Sequence, residues 1–290
     1  MVQELSQKDT RAATRFAARK HLHPKVHAMR TAPDGTAYDI FGSPQSPWVV
    51  LTHGLGLNKA CWQWTIPALQ NDFCILTYDL YGHGMSADPP DTPSLSLFSR
   101  QLLGVMDHSN APSAAIVGFS LGGMIARRFA QDTPARVDAL GILHSPHQRS
   151  AEAQAAIRAR VDQAREHGSG ATVEAALERW FTPDFRATNP DMMDTVRGWV
   201  LANRTGVYHT VYSVLADRVD EITAPTPPIS CPTLVITGDE DYGNGPEMTR
   251  AIAAEITGAQ TLILNGLRHM ALAEDPEAIN GPLHRFLKNI

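Results

Sequence analysis

The sequence predicts an α/β protein built on a mostly parallel, doubly wound sheet with an inserted helical cap. Three observations carry that prediction. Short, nearly unbroken apolar runs recur along the chain, helical patterns alternate with them, and one long stretch between two of the runs is helical throughout. Unbroken apolar runs suit strands buried on both faces of a parallel sheet. Strand alternating with helix is the pattern of a doubly wound core.

The runs come in order. "WVVLTHG" (48–54) reads as a buried strand ending in a glycine turn, and "FCILTYD" (73–79) as a second. "AAIVGF" (114–119) and "VDALGIL" (137–143) follow, then "PTLVITG" (232–238) and "QTLILNG" (260–266) after a long gap. Helical patterns fall at 60–70, 94–109, 121–132, 246–257 and 276–288. Between about 147 and 229 the alternation stops. That stretch opens with "AEAQAAIRARVDQAREHG", an Ala/Arg/Glu helix closed by Gly168, and continues through "TVEAALERWF", "PDMMDTVRGWVLANR" and "VYHTVYSVLADRV". A helical insertion between two core strands is most simply a cap over a site. The predicted organisation is an N-terminal extension (1–34), a core (35–146 and 230–290) and the cap (147–229).

Composition narrows the function classes. With 290 residues, 43% hydrophobic and 19% charged, the chain is long enough for one large core. A net charge of -5 offers no general attraction to nucleic acid or anionic lipid, and no apolar run is long enough to span a bilayer. The N-terminus is polar with no apolar h-region, so it is not read as a secretory signal; it reads as a floppy or oligomer-contacting helix. Cys61, Cys74 and Cys231 are scattered without C-x-x-C spacing, which suggests neither a disulfide framework nor a zinc site. A cytoplasmic protein with a small-molecule substrate is expected, with no metal or organic cofactor; monomer and homo-oligomer both remain open.

The stretch "AAIVGFSLGGM" (114–124) carries the chemistry. Strand, then G-x-S-x-G, then helix is the context in which this short motif signals a nucleophile. Gly118 and Gly122 allow the tight backbone that the bend needs, and Ser120 at its apex is expected in a strained conformation with its hydroxyl pushed outward. The helix beginning at Leu121 directs its N-terminal N–H groups and positive dipole end at the same spot. Serine needs a base, and the base needs a third group to orient it. Later strand ends supply both. "LVITGDEDYGNGP" closes one strand with three carboxylates, and of 12 histidines only His269 sits on the loop after the last core strand.

Four motifs in order, "HGLG" (53–56), "YDLYGHGMS" (78–86), "GFSLGG" (118–123) and the "TGDED…GLRHM…EDPEAIN" tail, give the chain its resemblance to the α/β-hydrolase fold superfamily over nearly everything after the first thirty or so residues. The resemblance implies a Ser120, Asp241 and His269 triad, since the family's G-x-x-D acid maps onto Gly238 and Asp241, with Asp239 as the adjacent competitor. It implies turn-stabilising roles for His53 and His83. The oxyanion hole would combine the backbone N–H of Leu121, beside the nucleophile, with that of Leu55.

A serine at the bend suits acyl transfer to water: ester, lactone, thioester or amide hydrolysis. "RWFTPDF" (180–186) and "GVYHTVYSVLADRVDEI" (206–222) resemble the 3-oxoadipate enol-lactonase-like and carboxylesterase group, which implies a small, carboxylate-bearing catabolic metabolite. A cationic group in the pocket would then be expected. The cap holds Arg158, Arg160, Arg165, Arg179, Arg186, Arg197, Arg204 and Arg218, of which Arg204 and Arg218 are the candidates. His144, Trp180 and His209 complete the substrate-contact candidates. Two alternatives stand beside this reading. One is a C–C bond hydrolase of a ring-cleaved aromatic, disfavoured by Phe119 where that group tends to carry Asn. The other is a non-catalytic ligand receptor on the same fold, which has no need of a base and an acid at these positions.

Overall fold

The protein is described by a computed structural model covering residues 30–290. The expected N-terminal helix lies outside the described residues. Eight strands form one sheet in the order β1-β2-β4-β3-β5-β6-β7-β8. β1 (Arg30–Thr31) and β2 (Ala37–Phe41) run antiparallel at one edge. β3 (Trp48–Thr52), β4 (Cys74–Tyr78), β5 (Ala114–Phe119), β6 (Val137–Leu143), β7 (Thr233–Gly238) and β8 (Gln260–Leu264) pair in parallel.

The six parallel strands lie within the apolar runs, and β5 and β6 coincide with theirs. The edge hairpin was not anticipated, and it draws Arg30 and Thr31, which the sequence reading assigned to the extension, into the sheet. Its turn is made by Asp34, which accepts the Thr36 N–H at 2.9 Å, and by Gly35 at φ +83°. Aspartate–glycine is a strong hairpin signal.

Alternate residues of the central strands face opposite sides. Val50, Leu76, Ile116 and Leu140 pack on one face, and Val49, Leu51, Ile75 and Val117 on the other. The first layer includes α2 (Leu95–His108) and α3 (Leu121–Asp132); the second includes the short α1 (Ile66–Leu69) and α11 (Pro276–Leu287). Ser94 starts α2 by accepting the Leu97 N–H at 3.1 Å. Between β6 and β7 the chain forms α4 (Ala151–His167), α5 (Gly170–Trp180), α6 (Pro183–Thr188), α7 (Pro190–Leu201) and α8 (Thr205–Asp217), with no strand among them. α9 (Pro246–Ala254) and the short α10 (Ala271–Glu274) complete the core helices. Among the described residues, no helix is long and apolar enough to cross a membrane.

This topology brings the ends of β3, β5, β7 and β8 to one edge of the sheet, under the inserted helices. In open α/β sheets the crevice at the carboxyl ends of the strands is where ligands bind.

Candidate active site

The bend after β5 is a close backbone crossing. A Cβ at Gly118 would stand 2.1 Å from the Gly122 carbonyl oxygen, and one at Gly122 would stand 2.1 Å from that of Thr52. Only glycine allows β5, α3 and β3 to approach this closely. Ser120 adopts φ +56°, ψ -114°, a costly conformation for a residue with a side chain, and its N–H donates to Leu143 O at 2.8 Å. It lies at the N-terminus of α3 and lines a cavity shared with His269 and Asp241.

Asp241 follows β7 and is saturated. Its Oδ2 accepts from His269 Nδ1 at 2.7 Å and from His144 Nδ1 at 2.9 Å. Its Oδ1 accepts the N–H groups of Gly243 at 3.1 Å and Asn244 at 3.0 Å. Burial pushes this carboxyl upward, but the His269 imidazole and the donors around it outweigh burial and hold it well below the usual carboxylate range. His269 Nε2 is left facing the cavity. No hydrogen bond joins it to Ser120 Oγ in this structure.

Asp239, the competitor for the acid's role, is engaged elsewhere. Its Oδ1 accepts the Gly266 N–H at 2.7 Å, holding the turn after β8.

The loop after β3 is pinned by two buried imidazoles. His53 Nε2 accepts the Leu80 N–H at 2.9 Å while its Nδ1–H donates to Gly54 O at 2.8 Å. His83 Nε2 accepts the Gly56 N–H at 3.1 Å. Accepting requires the neutral ring, and burial favours it: burial lowers the pKa of His53 and takes His83 to about 3. Leu55 sits within this fixed loop and lines the cavity, and Leu121 opens α3 beside Ser120. Neither backbone N–H has a hydrogen-bond partner among the described residues.

The expected substrate contacts divide. Trp180 lines the cavity, its ring centroid 6.0 Å from that of His269. His144 does not line it. At φ +49° after β6 it lies against Asp241, its N–H donating to Ile236 O at 2.7 Å and its ring fully buried, so burial lowers its pKa. Arg204 is also corrected. It starts α8 on the outer surface, because Asp88 and the Ser86 carbonyl hold its guanidinium away from the cavity, which α8 lines only from Tyr208 onward. Arg218 pairs with Glu221 outside the cavity, and His209 is half-buried on α8 without reaching it.

The arginines that do line the cavity are Arg149, Arg160 and Arg179. Arg149 was missed altogether. A signal for the other two existed: Arg160 falls on the stripe Ile157, Val161, Ala164 that buries α4, and Arg179 is spaced with Thr172 and Ala176 on α5. An arginine at i, i+3, i+4 spacing with core residues faces inward.

The inserted helices are tied to the His269 loop. Arg268 Nη1 donates to Glu178 O at 2.8 Å and Phe181 O at 3.1 Å, satisfying carbonyls at the end of α5. The Met270 N–H donates to Trp180 O at 2.8 Å.

His144, Asp241 and His269 present ligand-type atoms within 4.8 Å of one another. Both rings, however, sit at direct hydrogen-bond distance from one carboxylate oxygen. Ligands around a tetrahedral zinc, each about 2.0–2.1 Å from it, stand farther apart than that. The cluster fits proton handling better than metal binding. A separate groove lined by Asp107, Asn110, Pro112 and Arg136 lies at the opposite end of β5 and holds no nucleophile.

A sequence model of the alpha/beta hydrolase family matches residues 49–281. The chain is similar to 3-oxoadipate enol-lactonase 2 of Acinetobacter baylyi, 26% identical over 251 residues that cover 87% of this chain and 92% of that protein. It is also similar to the (E)-2-((N-methylformamido)methylene)succinate hydrolase of the same organism, 23% identical over 240 residues, covering 83% and 90%. Among solved structures, the enol-lactonase from Burkholderia xenovorans superposes with a TM-score of 0.81 at 26% identity, covering 90% of this chain and 99% of that one.

Proposed function

This chain belongs to the alpha/beta hydrolase family, and from that premise we propose that it hydrolyses an ester or lactone bond of a small metabolite through an acyl-enzyme on Ser120. The observation that carries the reading is a strained serine at a helix N-terminus, in one cavity with an imidazole whose far nitrogen is held 2.7 Å from a buried carboxylate. A binding protein has no use for that combination. The similarity to enol-lactonases supports a lactone or related acyl bond as the target.

The steps follow from the geometry. Ser120 Oγ attacks the acyl carbon while its proton passes to His269 Nε2, and the carbonyl electron pair moves onto oxygen. That oxyanion faces the Leu55 and Leu121 N–H groups and the positive end of α3; losing one such donor costs about 3 kcal/mol of transition-state stabilisation. Asp241 keeps Nδ1 of His269 protonated and balances the imidazolium charge. Collapse breaks the acyl–oxygen bond, and the leaving oxygen takes the proton from His269. Water, deprotonated by His269, then adds to the acyl-enzyme, and a second collapse releases the acid and restores the Ser120 hydroxyl.

A fluorophosphonate probe followed by peptide mapping tests the assignment, alongside a panel of esters, lactones, amides and one vinylogous diketone. The expected result is label on Ser120 alone and an ester or lactone turned over, with Ser120→Ala losing on the order of ten-thousandfold or more in kcat. Label elsewhere, or undiminished turnover in Ser120→Ala, refutes it. Cleavage of the diketone alone would replace acyl hydrolysis with C–C bond hydrolysis.

A further inference from the structure

The cavity carries a charge imbalance that hydrolysis of an ester or lactone does not itself require. Arg149, Arg160 and Arg179 all line it, and among the described residues the one carboxylate lining it is Asp241, whose two oxygens are already taken by two imidazoles and two backbone N–H groups. The arginines themselves have only neutral acceptors. Arg149 Nη1 donates to Ala216 O at 3.3 Å, and Arg160 Nε donates to Tyr212 Oη at 3.1 Å. Arg179 has neither a hydrogen bond nor an ion pair among the described residues.

Elsewhere on the inserted helices most arginines are paired. Arg158, Arg165, Arg197, Arg204 and Arg218 each hold a carboxylate, while Arg186, outside the cavity, holds none among the described residues. Three arginines without a carboxylate partner around one cavity are not what stability alone would select, because a desolvated cation without a counter-charge is the expensive case. The three also repel one another. Burial, with Arg160 close by, takes Arg149 down to about 10 and lowers Arg179 as well. A cluster like this is tolerated when a ligand brings the missing charge, and guanidinium groups suit carboxylate and phosphate oxygens by their planar, forked donors.

The ligand's charge follows from the imbalance. Among the described residues that line the cavity, three guanidinium groups against one carboxylate leave an excess of two positive charges, with Asp217 acting on Arg149 and Glu178 on Arg179 from outside the lining. A neutral ester leaves that excess untouched and a monoanion cancels half of it. The cavity volume, about 110 Å³, confines the answer to a compact molecule.

We propose that the substrate is a short dianion, its two negative charges, as two carboxylates or one phosphate, held beneath Arg149, Arg160 and Arg179 while its acyl carbon sits at Ser120. This rests on the hydrolase reading for the reaction but not for the binding. The charged end docks against the cap and the reacting end against the sheet. Arg160 and Arg179 come from different helices, so the pocket reads the spacing of the charges as well as their number.

Calorimetric titration of the Ser120→Ala protein separates the claims, because no turnover enters. The ligands are glutarate and methyl phosphate as dianions, butyrate as a monoanion and glutaramide as a neutral control, each at a pH where the phosphate is fully ionised. At least one dianion is expected to bind tenfold or more tightly than butyrate, with glutaramide weaker still, and Arg179→Gln in the same background is expected to remove most of that preference. Glutarate binding alone identifies a dicarboxylate, methyl phosphate binding alone a phosphate monoester, and binding of both supports the dianion with either source. Equal binding of butyrate and the dianions, no binding by either dianion, or a preference unaltered in Arg179→Gln and in the matching Arg149 and Arg160 variants overturns the proposal. If dianions bind but the wild-type Ser120 ignores the fluorophosphonate probe, the hydrolase reading has failed and the charge proposal stands; labelling without dianion binding is the converse.

Discussion

Replacing His144 by leucine isolates the second imidazole on the acid. In the native protein His144 and His269 donate to the same oxygen, Asp241 Oδ2, at 2.9 and 2.7 Å. A hydrogen bond to a charged acceptor contributes about 1.5–3 kcal/mol, so deleting the His144 donor is expected to destabilise the fold by about 2 kcal/mol. The effect on catalysis has a direction. With one donor fewer, Asp241 Oδ2 is held less firmly in the position that orients the His269 ring, so kcat falls while KM does not; a loss of about 1 kcal/mol of positioning, roughly half of the lost bond, is about fivefold in kcat. Asparagine is the rescue variant, since it tolerates the left-handed backbone found here at φ +49° and offers an N–H near the position of Nδ1. The assay is kcat and KM for wild type, His144→Leu and His144→Asn on one ester substrate, with urea unfolding of each. A kcat in His144→Leu that matches the wild type, or equal losses in both variants, refutes the argument.

Asp241→Asn is expected to lose about ten-thousandfold in kcat, since an amide no longer enforces the imidazole tautomer, whereas Asp239→Asn, which touches only the Gly266 turn, loses less than tenfold; comparable losses in the two would mean the acid is misassigned. Stability should fall as the pH is lowered from 7 to 5. His83 is neutral in the fold, with its pKa lowered to about 3, and binds a proton in the unfolded chain below about 6.5, so it alone removes about 2 kcal/mol over that window, and His53 and His144 act in the same direction. Urea midpoints that are flat or rise on acidification would contradict this. Gly122→Ala drives a Cβ to within 2.1 Å of a backbone oxygen and is expected to cost about 3 kcal/mol or more, read as a lost or strongly lowered melting transition; a near-native Tm would show that the crossing is looser than described.

Much of this architecture was legible because the central strands are buried on both faces and therefore spell themselves as uninterrupted apolar runs. The setting of Ser120 was legible for a related reason: two glycines at fixed offsets mark backbone contacts that admit no side chain. The edge hairpin escaped because β2 is only five residues long and Asp39 interrupts its apolar residues, although Asp34–Gly35 announced the turn. The cap's inward-facing groups were harder. Arg160 and Arg179 are marked only by their helical spacing with buried residues, and Arg149, on an irregular segment, has no periodicity to reveal it. His144 could not have been placed from sequence, because its contact with Asp241 spans 97 residues and depends on how β6 lies beside β7.

The ties from Arg268 and Met270 to the end of α5 bear on engineering. Because the roof over the substrate and the segment carrying His269 share these fasteners, the cap is not an interchangeable module. A cap grafted from another hydrolase would arrive without carbonyls aligned to the Arg268 guanidinium, and the imbalance would be felt first in the aim of the imidazole. Chimeras that exchange residues 147–229 together with 266–274 should therefore retain turnover where simple cap swaps lose it, and their altered preference should follow the arginines they import.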